Sequence, residues 1–297
     1  MLNSVVNFTV LAAIVVLTGF AVYALWDSQQ VYQGADSSNY AVYKPAAEDG
    51  GKSFQELQSI NPEVIAWLTV YGTNIDYPVT QGRNNMKYIN TNAEGAYSLS
   101  GAIFLDFKNS GDFSDFNSIL YGHHMEKRKM FGEIGDFSDR QVFETHRFGN
   151  LYYGEKDHGI EFFAFVHCDA YDKSVFTANM RGEEVQKAYL DGLHEKASNK
   201  RSTGVTIADR IILLSTCSSD STNGRDVLIG RITDEVYEDT FYSPVTEGER
   251  QLFSVDSPEG LRSIIPRWLP WLILIMAALI AILALADYHR KRKYGNQ

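Results

Sequence analysis

The run Ile211-Ile212-Leu213-Leu214-Ser215-Thr216-Cys217, the polar loop Ser218-Ser219-Asp220-Ser221-Thr222-Asn223-Gly224 and the return Arg225-Asp226-Val227-Leu228-Ile229-Gly230-Arg231 decide how this chain is read. Two apolar, β-branched runs flanking a polar loop are the pattern of two strands joined in a hairpin. Such a hairpin brings Arg225 close to Cys217. A thiol at the junction of strand and loop suits a nucleophile, because the strand fixes it and the loop exposes it. A lone cysteine is more often a small buried hydrophobe, so its partners decide.

Working outward, similar runs recur at 64–70, 75–79, 102–106, 118–121, 149–153, 160–167, 205–214 and 227–233, separated by turn-like clusters such as Tyr71-Gly72-Thr73-Asn74. Few alternate cleanly between apolar and polar, so several are buried on both faces or closed into a barrel. Helical spacing appears at 183–198, with Val185, Ala188, Tyr189 and Leu193 on one face. A shorter helix is expected at 137–146 with Ser138 as its N-cap. Residues 27–53 are polar and glycine-containing and read as a stalk. There is no internal repeat and no regular strand–helix alternation, so a mainly β fold of eight strands with helical insertions is expected.

The two ends carry a different signal. Residues 1–26 hold no charged side chain, and from Val5 to Trp26 the run is interrupted only by Asn7, Thr9, Thr18 and Gly19. A second run, Trp268–Ala286, has no charge and one proline. Each is long enough for a bilayer core of ~30 Å, and Trp26, Trp268, Trp271 and Tyr288 sit at the ends, where amphipathic rings favour the interface. The tetrad Arg290–Lys293 directly follows the second run. By the positive-inside rule it is cytoplasmic, so both termini are expected inside and residues 27–267 outside. The N-terminal run lacks the basic start of a signal peptide and is long for one, although Val22 and Ala24 would suit cleavage after Ala24. Only six of the 27 basic and one of the 37 acidic residues lie beyond Leu261, which leaves 27–261 with a net charge of −15. The domain boundaries are therefore 1–26 anchor, 27–53 stalk, 54–261 barrel domain, and 262–297 second helix and basic tail. The whole-chain charge of −10 argues against a nucleic-acid partner, and two cysteines exclude a disulfide scaffold.

A cysteine nucleophile needs a base or an imidazolium nearby. His123 and His124 end the run Asn117-Ser118-Ile119-Leu120-Tyr121-Gly122-His123-His124-Met125, a second short strand that stops at a glycine and then presents polar groups. Read alone, a loop histidine pair is usually solvated surface. Arg225 read alone is a surface arginine pairing with Asp220 or Asp226, but its guanidinium could also donate to an acyl oxyanion.

Together these residues resemble the sortases, membrane-anchored cysteine transpeptidases of Gram-positive bacteria, and within them class B. The resemblance rests on Asn117–Met125 with His123, on Leu214-Ser215-Thr216-Cys217, and on Arg225 opening the final strand. It also rests on the series Ile60–Leu68, Ile75–Val79 and Gly101–Asp106, and it covers about residues 54–236. It implies an eight-stranded sortase-type barrel, which the hydropathy pattern flanks with N- and C-terminal transmembrane helices. It also implies Cys217 as nucleophile, His123 as acid/base and Arg225 as the substrate or oxyanion contact, with no cofactor or metal. The implied partners are secreted proteins or pilins with a C-terminal sorting signal, and an amine acceptor from a peptidoglycan precursor or a pilin lysine. The chain departs from the family in having Leu213 where threonine is common, in its short Cys217–Arg225 loop, and in its second membrane helix. That helix resembles the layout of sortases that polymerise pilins.

Three other readings compete. A papain-like hydrolase would place its cysteine at a helix start, upstream of the histidine. A non-enzymatic tethered adhesin could pair Cys217 with Cys168 as a disulfide. A metal site of His123, His124 and a carboxylate has no ligand spacing to support it.

Overall fold

The computed structural model describes residues 2–45, 51–217 and 223–241. The folded unit spans Ala24–Tyr242. Helix α1 (Leu2–Gly34) has 33 residues, about 50 Å at 1.5 Å per residue. Among the described residues it is the one helix long and apolar enough to cross a membrane, and Val16, Leu17 and Phe20 along it are roughly two-thirds exposed. The second expected span, Trp268–Ala286, and the basic tetrad Arg290–Lys293 lie outside the described residues.

After α2 (Lys52–Ile60), eight strands form the barrel: β1 (Val64–Val70), β2 (Asp76–Thr80), β3 (Ile103–Leu105), β4 (Asn117–Tyr121), β5 (Phe148–Tyr153), β6 (Lys156–Asp169), β7 (Arg210–Cys217) and β8 (Gly224–Thr233). Their order is β8-β7-β4-β3-β2-β1-β5-β6, and β6 pairs back onto β8 to close the sheet. The β2–β3 and β4–β7 pairs are parallel, and the other neighbours are antiparallel. A parallel pair needs a long crossover. Between β4 and β7 that crossover holds α3 (Arg140–Thr145), β5, β6 and α4 (Glu183–Lys196).

All eight expected strands are present, and the missing alternation has a structural cause. Along β7 and β8, Ile212, Leu214, Leu228 and Ile232 pack into the main core, whereas Ile211, Leu213, Val227 and Ile229 join a second core with Tyr189, Leu190 and Leu193 of α4. Both faces are covered, so both carry apolar residues; each fully buried side chain of this size contributes ~1.5–3 kcal/mol.

Several expectations need correction. The strand expected from Val205 begins at Arg210, because Thr206 and Asp209 close a turn: the Thr206 amide and Oγ1 donate to Asp209 Oδ2 at 2.7 and 3.0 Å. The 137–146 helix is a 3-10 turn (Ile134–Ser138) followed by α3, and Asp139 rather than Ser138 is the cap, accepting from the amides of Gln141 and Val142. On α4, Val185 is exposed and Leu190 takes its place in the core. Part of the expected stalk packs on the barrel. After α1, a 3-10 turn (Ser37–Tyr43) follows; Ala35 and Tyr40 are buried, and Tyr77 Oη donates to Ala35 O at 2.8 Å. The chain therefore joins the barrel's core well before residue 54.

Candidate active site

The parallel β4–β7 ladder sets the site. Its last pair is Ser215↔Tyr121, and Gly122 extends it by donating its amide to Ser215 O at 3.1 Å. His123 and Cys217 each lie two residues beyond that pair on neighbouring strands. Gly122 is required here, since a Cβ would come within 2.6 Å of Ile103 and 2.8 Å of Phe131. The antiparallel β7–β8 ladder puts Cys217 opposite Arg225, as the hairpin reading expected. The three expected residues thus converge on one end of the barrel from strands that are far apart in sequence.

His123 is half-buried, and its Nε2 lies 2.8 Å from the Ile89 carbonyl. A carbonyl can only accept, so Nε2 carries a proton and Nδ1 is the nitrogen left to exchange one. Arg225 is half-buried, with Nη1 donating to Gly224 O at 2.9 Å. A cavity of about 330 Å³ is lined by His123, Arg225, Ser215, Thr216 and Tyr121. Its far walls are residues that sequence reading did not single out: Asn85, Met86 and Ile89 from the β2–β3 crossover, and Ala170 and Phe176 after β6. Nothing local in those segments marks them, because only closure of the barrel brings them to the site.

Asp106, the last residue of one of the quoted motifs, fixes one wall. Its Oδ2 accepts from Asn85 Nδ2 at 2.8 Å and from Tyr121 Oη at 3.2 Å. Burial, followed by the Asp106 charge, pushes the Tyr121 phenol above its ordinary range, so it stays a donor. The Ser215 and Thr216 hydroxyls are buried without hydrogen-bond partners.

Cys168 lies nearer the site than the sequence suggested. It faces Arg225 from the other side, in the β6–β8 register. Burial, with a smaller contribution from Asp172, pushes its thiol up to about 12, so it is protonated and a poor nucleophile at neutral pH. A whole strand separates Cys168 from Cys217. At ~4.8 Å per strand their Cα atoms are about 10 Å apart, beyond the ~7 Å limit for a disulfide. The bridge of the adhesin reading is therefore excluded.

No family model matches the chain. It is 31% identical over 184 residues to Sortase B of Staphylococcus aureus, a match covering 60% of this chain and 74% of that protein. Among solved structures it is similar to a sortase B from the type II pilus of Streptococcus pneumoniae, at 45% identity and a TM-score of 0.55, covering 61% of this chain and 99% of that one. It is also similar to a Streptococcus pyogenes class B sortase involved in pilus biogenesis, at 38% identity and a TM-score of 0.56, covering 60% and 97%. A closed eight-stranded barrel with this likeness defines a sortase, and the chain belongs to the sortase family. It is a cysteine transpeptidase whose relatives are of class B.

Proposed function

We propose that Cys217, His123 and Arg225 carry the transpeptidation. The observation behind this reading is the pair of ladders that meets at Ser215–Cys217, with β4 bringing His123 and β8 bringing Arg225 to one cavity. The Cys217 thiolate attacks the carbonyl of the sorting-motif residue, and Arg225 donates to the oxyanion or to the substrate backbone. As the intermediate collapses, His123 protonates the departing amine from Nδ1, leaving a thioacyl enzyme. An incoming amine then loses its proton to His123 and attacks the thioester, which expels the Cys217 thiolate and closes the peptide bond.

The donor in this reading is a secreted protein or pilin with a C-terminal sorting signal, and the acceptor is a pilin lysine or a peptidoglycan amine. The pilus association of two similar structures supports the pilin branch, as does the second apolar run in the sequence. With α1 and 268–286 both spanning, the barrel is extracellular and both termini are cytoplasmic. Mass measurement of the enzyme after incubation with candidate sorting-motif peptides tests the chemistry: a thioacyl adduct on Cys217, discharged by an amine, is expected, and no adduct with any such peptide sinks the reading. Protease added to wall-stripped cells should degrade the barrel and spare a tag after Gln297; a degraded tag refutes the topology.

A further inference from the structure

We propose that the barrel-side end of α1 and the turn that follows it, residues 29–36, form a positioning element for His123. It acts through the ribbon immediately behind the histidine. This inference rests on the acid/base reading of His123.

The ribbon pairs His124–Met125 with Lys129–Met130, and its far strand leads to Phe131, whose amide donates to His123 O at 3.0 Å. Its far strand and its tip are tied to the 29–36 segment. The Met130 amide donates to Tyr77 Oη at 3.0 Å, and the same phenol donates to Ala35 O at 2.8 Å. Tyr77 is only 2% exposed, so water does not compete for this bridge. Lys129 makes an ion pair with Asp36. At the ribbon's tip, Lys127 Nζ sits 4.2 Å above the Tyr32 ring and donates to Gln29 Oε1 at 3.2 Å. Tyr32 Oη in turn donates to Glu126 Oε2 at 3.3 Å.

The ribbon's backbone is held in a conformation it does not favour. Lys127, Arg128 and Met130 have φ of 59°, 57° and 52°. Positions at positive φ in a hairpin loop ordinarily take Gly or Asn, because other side chains are strained there. Lys-Arg persists there because the surrounding contacts over-determine it. There is little slack, since a Cβ on Gly132 would come within 2.0 Å of Met125 O. The His123 ring is fixed on its other side by the Ile89 carbonyl. Releasing the ribbon from residues 29–36 therefore lets the backbone behind His123 relax while the ring stays tethered, which misaligns Nδ1 with the reacting atoms. Binding of the donor peptide does not depend on that alignment, so the effect falls on kcat.

The test uses the full chain in detergent micelles and a sorting-motif peptide that the parent enzyme turns over. Lys129→Met and Asp36→Asn each break the ion pair at a partly exposed position; Tyr77→Phe breaks the buried bridge. Because small misplacements at a reacting centre are costly, kcat should fall about tenfold with KM nearly unchanged. Lys129→Arg should restore most of it, and Lys187→Met on α4 should behave as parent. Should Tyr77→Phe fail to fold, the two ion-pair variants carry the test. Parent-like kcat in both Lys129→Met and Asp36→Asn, with His123→Ala inactive, overturns the positioning role alone. An active His123→Ala overturns the acid/base reading itself, and the inference with it. Equal losses in kcat and in peptide affinity, without rescue by Lys129→Arg, would mark a merely structural contact and also overturn it.

Discussion

The two ends of β8 are built for different purposes. At its start, Arg225 lines the cavity, Asp226 accepts from His167 Nδ1 at 2.9 Å, and the neighbouring Ser215 and Thr216 hydroxyls are left without partners. At its finish, Arg231 donates to Glu161 through Nε at 3.0 Å and Nη2 at 2.8 Å, and Arg147 completes the cluster at 2.9 Å. Beyond Thr233 the chain lies across the barrel as a strap. Tyr237 stacks on Phe148 at 4.1 Å and Phe241 on His146 at 4.8 Å. Gly159 is needed there because a Cβ would sit 2.0 Å from Glu235 O. One end leaves Arg225 and two hydroxyls at the cavity; the other ties Glu161 to two arginines and closes the surface. Buried polar groups without partners cost stability, so the contrast separates what serves chemistry from what serves the fold.

The sharpest break of that contrast is at the two cysteines beside Arg225. Cys217→Ala should abolish both turnover and the thioacyl adduct while leaving the melting temperature near the parent's. Cys168→Ala should keep turnover. An inactive Cys168→Ala beside an active Cys217→Ala would reverse the assignment. Next in size, His123→Ala should lose roughly 10²–10⁴ in kcat, the worth of acid/base help. His124, on the ribbon and outside the cavity lining, should tolerate alanine with most turnover intact; steady-state rates on one peptide decide between them.

At the opposite end the expected effects fall on stability. Glu161→Ala removes the carboxylate shared by Arg147 and Arg231. Because Arg147 is about half exposed, the loss is discounted to ~1–3 kcal/mol. That is about 2–4 °C in Tm per kcal/mol for a domain of this size, with kcat unchanged in the folded protein. A loss of kcat without a loss of Tm would erase the distinction between the two ends. Gly159→Ala should lower Tm by a smaller or similar amount by lifting the strap.

The smallest effect is in pH. The Cys168 pKa is raised from its ordinary value of 9.0 to about 12. Below about 9 the thiol is neutral in both folded and unfolded chains, and the stability associated with the raised pKa is fully present. As pH climbs from 9 towards 12 the unfolded chain loses its proton first, so this contribution is lost. Native Cys168 should accordingly alkylate more slowly than the same thiol in denaturant at pH 8–9, as read by mass spectrometry. Equal rates would show that burial does not hold the proton.

The sequence alone determined most of the fold. Eight β-rich runs were legible because β-branched and aromatic residues cluster between turn-forming ones, and the apolar N-terminal run was legible from length and lack of charge. Local pattern placed Cys217, His123 and Arg225 where strands meet polar chain, and only the resemblance to the sortases joined them into one candidate site. Tertiary structure decided what local pattern cannot encode. Ala35 and Tyr40 lie in a polar stretch that reads as stalk, and they are core only because β2, α2 and the ribbon leave a surface for them. The cavity walls Asn85, Ile89 and Phe176 carry no signature, because their role comes from a crossover and a loop meeting across a closed sheet. The proton on His123 Nε2 depends on a carbonyl 34 residues away in sequence. Periodicity reports which face of an element is buried; which elements meet, and which atoms face one another there, is fixed by ladders between strands separated by up to about a hundred residues.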